Sequence, residues 1–350
     1  MRDTRPEERP TDTGGTRRAY AGRTCRNWND VAMETWFARR PVRDLRPGDH
    51  AWLAFGSRQE QEHVIGAFVR DGLHGTDRVV YITGARPREL PGLLNHYRTD
   101  PGPFAATGQL RIISPRAACD AAGRFDPDRL LDAVVGEIGE ASAAGYRGVR
   151  VTGDMTWAVR QPGGHRRVLG CEGRIDTAIA SSALAMAICQ FGRTCCTARQ
   201  LDDLNDRHEV LVEANPEFDD GVLRITRTFA PPGLRIDGEL DSARHAAFAE
   251  ALSSVADLDR DVRLDVGGLR FVDLGALHLL TAFAGRRRDG GRVLLDHLAP
   301  ESAAIIDTMG WHRLPGVAAG HPAHERPAHE RPAHERPAHE RPADEQGTPS

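Results

Sequence analysis

The sequence contains no lysine, so all 46 basic residues are arginine. Chemistry that needs a lysine amine is therefore excluded, including an intact P-loop, a pyridoxal phosphate Schiff base, a lysine aldolase and a kinase with its catalytic lysine. The glycine-rich dinucleotide loop GxGxxG and the serine nucleophile motif GxSxG are missing as well. These absences predict a protein that is not an enzyme.

Long apolar runs are also absent. The longest, AIASSALAMAIC at 178–189, has about twelve residues, whereas a membrane-spanning helix needs about twenty. The first residues are polar and arginine-rich and lack the apolar segment of a secretory signal. We therefore expect a soluble, cytoplasmic protein that does not contact a membrane.

A concentrated positive charge is lacking too, since the formal net charge is −4 at pH 7. Proteins that bind duplex nucleic acid neutralise its phosphates with a basic face, so direct nucleic-acid binding is not expected. The cysteines are scattered and have no zinc-finger spacing with histidine, which predicts reduced, buried thiols, no metal site and no cofactor. They are Cys25, Cys119, Cys171, Cys189, Cys195 and Cys196.

Both ends of the chain lack an apolar period. Residues 1–40 predict a disordered leader with at most a turn of helix at 28–37. Residues 319–350 repeat Pro-Ala-His-Glu-Arg and predict a disordered tail, because a proline at every fifth position forbids a continuous helix. The repeated histidines could chelate a divalent metal, although a repeat expansion without function is the favoured interpretation. They are His324, His329, His334 and His339.

Residues 41–212 alternate short apolar runs with amphipathic stretches, which predicts an α/β domain with a parallel sheet covered on both faces by helices. The predicted strands are 50–55, 77–83, 109–114, one that begins at 148–151, and 183–191. The predicted helices are 58–68, 89–97, 126–144 and 198–212. The buried side of 126–144 is expected to carry Leu130, Leu131, Val134, Val135 and Ile138.

A small-molecule pocket is the functional interpretation of several polar residues in this domain. Open α/β sheets place their sites at loops beyond the carboxyl ends of parallel strands, which points to Asp154, with Trp157 beside it and Glu172 further along. His50 begins the first strand. The alternative is that Asp154 caps a helical turn and that His50 is an ordinary edge residue. Cys189 lies in an apolar strand, so its thiol is expected in the core.

Residues 213–318 predict a second, smaller domain of the order β-β-α-β-α-β-α. Its strands are predicted at 223–229, 234–240, 261–266 and 292–296. Its helices are predicted at 242–255, 277–287 and 300–309. The first two strands are joined by a turn at Pro231-Pro232-Gly233.

The first domain resembles the MEDS domain, the methanogen and methylotroph sensory domain. The matching stretches are PGDHAWLAF at 47–55, RQEQEHVIGAFVRDGLHGTDRVVYIT at 58–83, GRFDPDRLL at 123–131, GYRGVRVTGDMTWAV at 145–159 and the region 171–191 with CEGRID and MAICQF. This resemblance implies a RecA-like sheet without a working P-loop, and the sensing of a small ligand. The sequence departs from the family at Asp154, where glutamate is common, and at Cys171, where an aromatic residue is usual.

The second domain resembles a STAS domain, the module of anti-sigma factor antagonists. The matching stretches are LRIDGELDSARHAAFAEAL at 234–252, VRLDVGGLRFVDLGALHLL at 262–280 and GRVLLDHLAPESAAIIDTMG at 291–310. In the family a loop Asp is followed directly by a Ser that is phosphorylated. Here the partner-docking loop reads Asp273, Leu274, Gly275 and Ala276, and Leu274 has no hydroxyl to accept a phosphate. Asp273 is expected to cap the helix that follows.

The two resemblances together imply a bacterial signalling regulator. A small molecule bound near His50, Asp154 and Glu172 would bias the presentation of the STAS face. The partner would be an anti-sigma factor of the GHKL kinase-like class, in a partner-switching network that regulates transcription. Two other functions remain open on the sequence alone: a nucleotide- or thiol-using enzyme of the RecA-like class, and a structural adaptor that senses nothing.

Overall fold

The computed structural model describes residues 38–256, 258, 261–287, 291–298 and 316–320. Three expectations lie outside these residues: the leader up to residue 37 with its turn at 28–37, the helix at 300–309 and the repeated tail beyond residue 320. The last residues of the predicted leader, 38–40, are not disordered but belong to a strand that pairs with residues 210–212. Among the described residues, none of the helices combines the length and apolar character that a membrane span requires.

The first domain is built on a seven-stranded sheet. Its strands are β1 Ala38–Pro41, β2 His50–Phe55, β3 Asp77–Ile82, β4 Leu110–Ile113, β5 Gly148–Asp154, β6 Ala185–Gly192 and β7 Val210–Glu213. They lie in the order β1-β7-β2-β6-β5-β3-β4, and neighbouring strands run parallel. The predicted α/β class with a parallel sheet is confirmed.

Helices cover both faces of this sheet, because parallel strands need crossover connections that pack back onto it. They are α1 Arg58–His74, α2 Gly102–Thr107, α3 Pro127–Ala143, α4 Thr156–Val159, α5 Gly164–Ala180 and α6 Ala198–Asn205. On one face, α3 and α5 bury residues such as Val134 and Ile179 beside Phe191 of the sheet. On the other face, α1 buries Ile65 and Phe68.

The structure corrects three predictions for this domain. The helix predicted at 89–97 does not form: Glu89 ends a short 3-10 helix and residues 90–97 are bends and turns, because Pro91 precedes Gly92, whose φ of +72° is left-handed and interrupts a right-handed helix. The predicted helix 198–212 ends at Asn205, and the alternating burial of Val210–Glu213 belongs to strand β7. Val135 of α3 is 49% exposed rather than buried.

A six-stranded mixed sheet forms the second domain. Its strands are β8 Phe218–Asp219, β9 Leu223–Phe229, β10 Pro232–Leu240, β11 Val262–Val272, β12 Val293–Asp296 and β13 Val317–Ala319, and its described helices are α7 His245–Ser254 and α8 Leu274–Arg286. The order is β13-β12-β11-β10-β9-β8, antiparallel from β8 to β10 and parallel from β10 to β13. Residues such as Leu252, Leu264 and Phe283 form its core.

Candidate functional site

The turn before β2 places His50 inside the protein. Gly48 adopts a φ of +94°, which favours glycine, and its N–H donates to the carbonyl of Ala185 at 2.7 Å. Asp49 accepts hydrogen bonds from the Arg46 N–H at 2.7 Å and from the Arg40 guanidinium at 2.8 Å. The turn is therefore fixed on both sides, and the His50 side chain is buried.

Three further buried or half-buried side chains meet His50 from different elements. Glu172 comes from the middle of α5, Cys189 from β6 next to β2, and His208 from the segment just before β7. One ligand-type atom of each residue lies within 4.8 Å of all the others. We call these four residues, His50, Glu172, Cys189 and His208, the His–Glu–Cys cluster.

Oε2 of Glu172 is the centre of this cluster. It lies 3.2 Å from Nε2 of His50 and 3.4 Å from Nε2 of His208, and the Cys189 thiol donates to it at 3.1 Å. Nε2 of His50 also lies 3.3 Å from the Cys189 sulfur. Two imidazoles and a thiol thus converge on one carboxylate oxygen.

The second nitrogen of His208 is held by a hydrogen bond, whereas that of His50 lies near a carboxylate. Nδ1 of His208 lies 2.8 Å from the carbonyl oxygen of Leu204, at the end of α6, and must donate its hydrogen there because a carbonyl only accepts. Nδ1 of His50 lies 3.5 Å from Oδ1 of Asp176, one turn beyond Glu172 on α5. The Trp52 ring stacks near His208, with ring centroids 5.9 Å apart.

Burial and charge act in opposite directions on the acid and base groups of the cluster. Burial disfavours protonated His50, but the carboxylates of Asp176 and Glu172 outweigh it and raise its pKa to about 9. Burial likewise disfavours the Glu172 carboxylate, but the imidazoles of His208 and His50 hold its pKa well below the usual range. The pKa of Cys189 is raised by burial and by the charge of Glu172, so its sulfur stays a thiol.

The structure brings His50 and Glu172 together and places Asp154 elsewhere. Asp154 pairs in register with Gln190 and therefore lies on the face of Gln190, whereas the neighbouring Cys189 side chain points to the opposite face. The Asp154 carboxylate accepts from the Thr156 N–H at 3.0 Å, at the start of α4. This contact agrees with the capping alternative that the sequence left open.

Among the described residues, the contacts of Trp157 are with a different part of the domain from those of His50 and Glu172. Its ring meets Phe125 edge-on, with centroids 5.7 Å apart, and packs against the core of the α3 and α5 face. Glu172 itself lies within helix α5 rather than in a loop at the carboxyl end of a strand. The cluster therefore lies at the amino end of β2, where the sequence placed His50, and not at the carboxyl ends of the strands, where it placed Asp154.

Sequence reasoning missed two members of the cluster. His208 was assigned to the interior of a helix, and Cys189 was expected to be an inert core thiol. A signal was available for the first: HAWLAF at 50–55 and HEVLVE at 208–213 both begin with a histidine within two residues of a short apolar run. Parallel neighbouring strands bring such leading residues to the same sheet edge, as β2 and β7 do with the pair Ala51 and Val210.

The predicted docking loop lies at the start of α8. Asp273 caps this helix as expected, since its Oδ1 accepts from the Ala276 N–H at 2.8 Å, and it also lies 2.7 Å from Nε2 of His245. Leu274 is 67% exposed, although large apolar side chains are mostly buried elsewhere in this domain. Gly275 lies against the His245 ring, where a side chain would clash.

Two family models match the sequence in this order. Residues 49–209 match the family described as "MEDS: MEthanogen/methylotroph, DcmR Sensory domain", and residues 223–316 match the one described as "Mlab, STAS domain". No curated protein matches the sequence. Among solved structures, the chain is similar to a KaiC-like protein from the hyperthermophilic archaeon Pyrococcus horikoshii OT3, with 14% identity, a TM-score of 0.34, and coverage of 52% of this chain and 79% of that one.

Proposed function

Since the chain contains a MEDS sensory domain followed by a STAS domain, we propose that it is a signalling regulator in which a small ligand controls a protein-docking loop. The ligand binds at the His–Glu–Cys cluster. The docking loop Asp273, Leu274, Gly275 and Ala276 presents the STAS domain to an anti-sigma factor of the GHKL kinase-like class. No chemical step is needed, because a ligand that binds two conformations with different affinity shifts their populations.

The observation that supports this proposal is a continuous set of contacts from the cluster to the docking loop. His208 lies two residues before β7, and β7 ends at Glu213, whose Oε2 pairs with the Arg235 guanidinium of β10 at 2.7 Å. β10 ends at Leu240, whose carbonyl accepts from the Asp273 N–H at 3.1 Å. A shift of His208 therefore reaches the cap of α8 through one strand, one ion pair and a second strand.

A second set of contacts joins helix α1 of the first domain to strand β9 of the second. Nη1 of Arg227 donates to Nε2 of His63 at 3.4 Å, and the Phe229 ring lies 4.8 Å from the His63 ring. Burial lowers the pKa of His63 to about 4, so this ring is neutral near pH 7 and accepts from the arginine. The two domains thus meet through α1 as well as through β7.

The competing enzyme interpretation gains little from the cluster. Cys189, His50 and Glu172 could form a nucleophile, a base and an orienting carboxylate. A nucleophilic cysteine, however, needs a depressed pKa and access for the substrate. The pKa of Cys189 is raised and the neighbouring groups are buried, so binding is favoured over thiol chemistry.

The experiment that tests the proposal is hydrogen exchange on the full chain. Divalent metal ions and a panel of small organic metabolites are first screened by thermal shift, with Glu172→Gln as the comparison, because a ligand of the folded state raises the melting temperature. A compound that shifts only the wild type is then added at saturation. We expect slower or faster exchange of amides 273–286; an unchanged rate there contradicts the proposal.

A further inference from the structure

The ligand atoms of the His–Glu–Cys cluster have the spacing of a tetrahedral metal site. Zinc bonds of about 2.0–2.3 Å place tetrahedral donor atoms about 3.3–3.8 Å apart. Four of the six separations within the cluster lie between 3.1 and 3.4 Å, and no pair exceeds 4.8 Å. Bringing the most distant pair into this range requires a movement of at most about 1 Å, which side-chain rotation can supply.

His208 supplies an independent indication of a cation. Its Nδ1 donates to the Leu204 carbonyl, so in the neutral ring Nε2 carries a lone pair. That nitrogen has no hydrogen-bond partner among the described residues, although the side chain is fully buried and points at the Glu172 carboxylate. A lone pair facing a carboxylate is unfavourable unless a proton or a metal ion lies between them.

The contacts around the two histidines are those of metal ligands. A histidine that binds a metal through one nitrogen usually donates the hydrogen of the other to a carbonyl or a carboxylate. His208 does so to Leu204, and Nδ1 of His50 faces the Asp176 carboxylate at 3.5 Å. The Asp176 side chain is 53% exposed, which marks the side from which an ion enters.

We propose that His50, Glu172, Cys189 and His208 bind one divalent transition metal ion of the Zn²⁺ class. This inference rests on the proposed function, because it names the ligand that the His–Glu–Cys cluster would sense. Two imidazoles, one thiolate and one carboxylate are a donor set that suits Zn²⁺, whereas Mg²⁺ and Ca²⁺ prefer oxygen ligands alone. The proposal differs from the sequence-based expectation of no metal site.

The charges balance in the bound state. The ion brings two positive charges, Glu172 and the thiolate of Cys189 bring one negative charge each, and the imidazoles bind as neutral rings. The site is therefore neutral overall, which buried groups require. The sulfur–metal bond forms as the Cys189 sulfur–hydrogen bond breaks, and His50 gives up the hydrogen on Nε2 so that its lone pair can bind the ion; both protons leave to solvent.

The test uses the full chain without an added histidine tag. The four tail histidines are replaced together by His324→Gln, His329→Gln, His334→Gln and His339→Gln, so that the repeat cannot contribute metal. After dialysis against a chelator, the protein is titrated with Co²⁺, a coloured substitute for Zn²⁺, and with Zn²⁺. We expect one ion per chain by elemental analysis, and a visible cobalt spectrum of tetrahedral type with a thiolate band in the near ultraviolet.

The variants Cys189→Ser and Cys171→Ser form a matched pair. Both cysteines lie in the same core cluster, but Cys171 is not among the four cluster residues. Cys189→Ser should lose the thiolate band and at least tenfold in Zn²⁺ affinity, whereas Cys171→Ser should keep both. His208→Gln, whose fold is checked by circular dichroism, should also weaken Zn²⁺ at least tenfold.

Three outcomes overturn the metal site: less than about half an ion per chain once the tail histidines are replaced, equal spectra for the two cysteine variants, or an octahedral cobalt spectrum.

The proposed function fails in a different way. One ion bound at the cluster with unchanged exchange at residues 273–286 keeps the metal site and contradicts the sensor. An organic compound that alters this exchange in protein that binds no metal contradicts the metal site and keeps the sensor.

Discussion

His50 and Glu172 form an ion pair that is hidden from solvent: Nε2 lies 3.2 Å from Oε2, and the residues are 4% and 2% exposed. Removing two such groups from water is costly, and each is tolerated only because the other is present. The pair therefore links α5 to the first residue of β2. Its loss should affect folding as well as binding.

We expect Glu172→Gln to lower the free energy of unfolding by about 3–5 kcal/mol, because the amide keeps the size of the side chain but leaves His50 without its charged partner. Urea unfolding in the presence of a chelator measures the change. Glu140→Gln is the control: that carboxylate is 65% exposed and pairs with Arg78, so its effect should stay within about 1 kcal/mol. If the two variants lose the same free energy of unfolding, the buried pair stabilises the fold no more than an exposed one.

The stability of the metal-free protein should fall as the pH rises from about 6.5 to about 9. The pKa of His50 is raised to about 9 in the folded chain, whereas an unfolded histidine titrates near about 6.5. Between these values the folded state binds more protons, so raising the pH favours unfolding. Chemical denaturation at several pH values gives the free energy of unfolding, which should depend less on pH for His50→Gln than for the wild type. The same pH dependence in both proteins would contradict the raised pKa of His50.

Asp273→Ala should destabilise the protein by about 1–2 kcal/mol, because α8 loses its cap and His245 loses its carboxylate partner. Asp273→Asn keeps an oxygen for the Ala276 N–H and separates the two effects, and it should cost less than the alanine variant. Thermal and urea unfolding give both values. If Asn and Ala cost the same, capping is not what Asp273 contributes.

Glu213→Gln should weaken communication between the domains without weakening the ligand site. The variant breaks the 2.7 Å pair with Arg235 but leaves the His–Glu–Cys cluster untouched. We expect Zn²⁺ affinity to stay within about twofold, while the change in amide exchange at residues 273–286 on adding Zn²⁺ is at least halved. Glu209→Gln, an exposed change next to β7, should leave both measurements as in the wild type.

Incubation with an anti-sigma kinase and ATP should place no phosphate on residues 273–276, because none of the four carries a hydroxyl. Leu274→Ser restores one at the exposed first position of α8, and mass spectrometry should then find a phosphate there. Leu274→Asp should weaken partner binding by adding a negative charge at the docking loop. A regulatory phosphate on Ser242 or Thr281 of the wild type would contradict control by the ligand alone.

The parallel sheet could be predicted because apolar runs such as HAWLAF and DRVVYI report buried strands directly, and β2 begins and ends as the sequence indicates. Strand β7 could not, because VLVE is only four residues long and follows a helix whose amphipathic pattern continues into it. Burial in a strand between β1 and β2 depends on long-range pairing, which local patterns do not contain.

Two of the four residues of the candidate cluster could be predicted, and the other two could not, again because local patterns do not contain long-range contacts. His50 and Glu172 stand out as polar residues in apolar surroundings, but they lie 122 positions apart and only the fold shows that they touch. Asp154 lies at the carboxyl end of a strand, where sites of α/β sheets are expected, but its side chain is on the face opposite to Cys189. A shift of one residue along a strand reverses the direction of a side chain. Cys189 looks like any apolar core residue until Glu172 is placed beside it.

The stacking of Trp52 on His208 makes the protein its own optical reporter. The centroid of the Trp52 ring lies 5.9 Å from that of His208. Its fluorescence should change when His208 binds a ligand, because excited tryptophan is sensitive to nearby charge and electron acceptors. Cluster occupancy can thus be followed by intrinsic fluorescence without a label. Trp52→Phe, which retains an aromatic ring at this place, would silence the signal while leaving the four ligands in position.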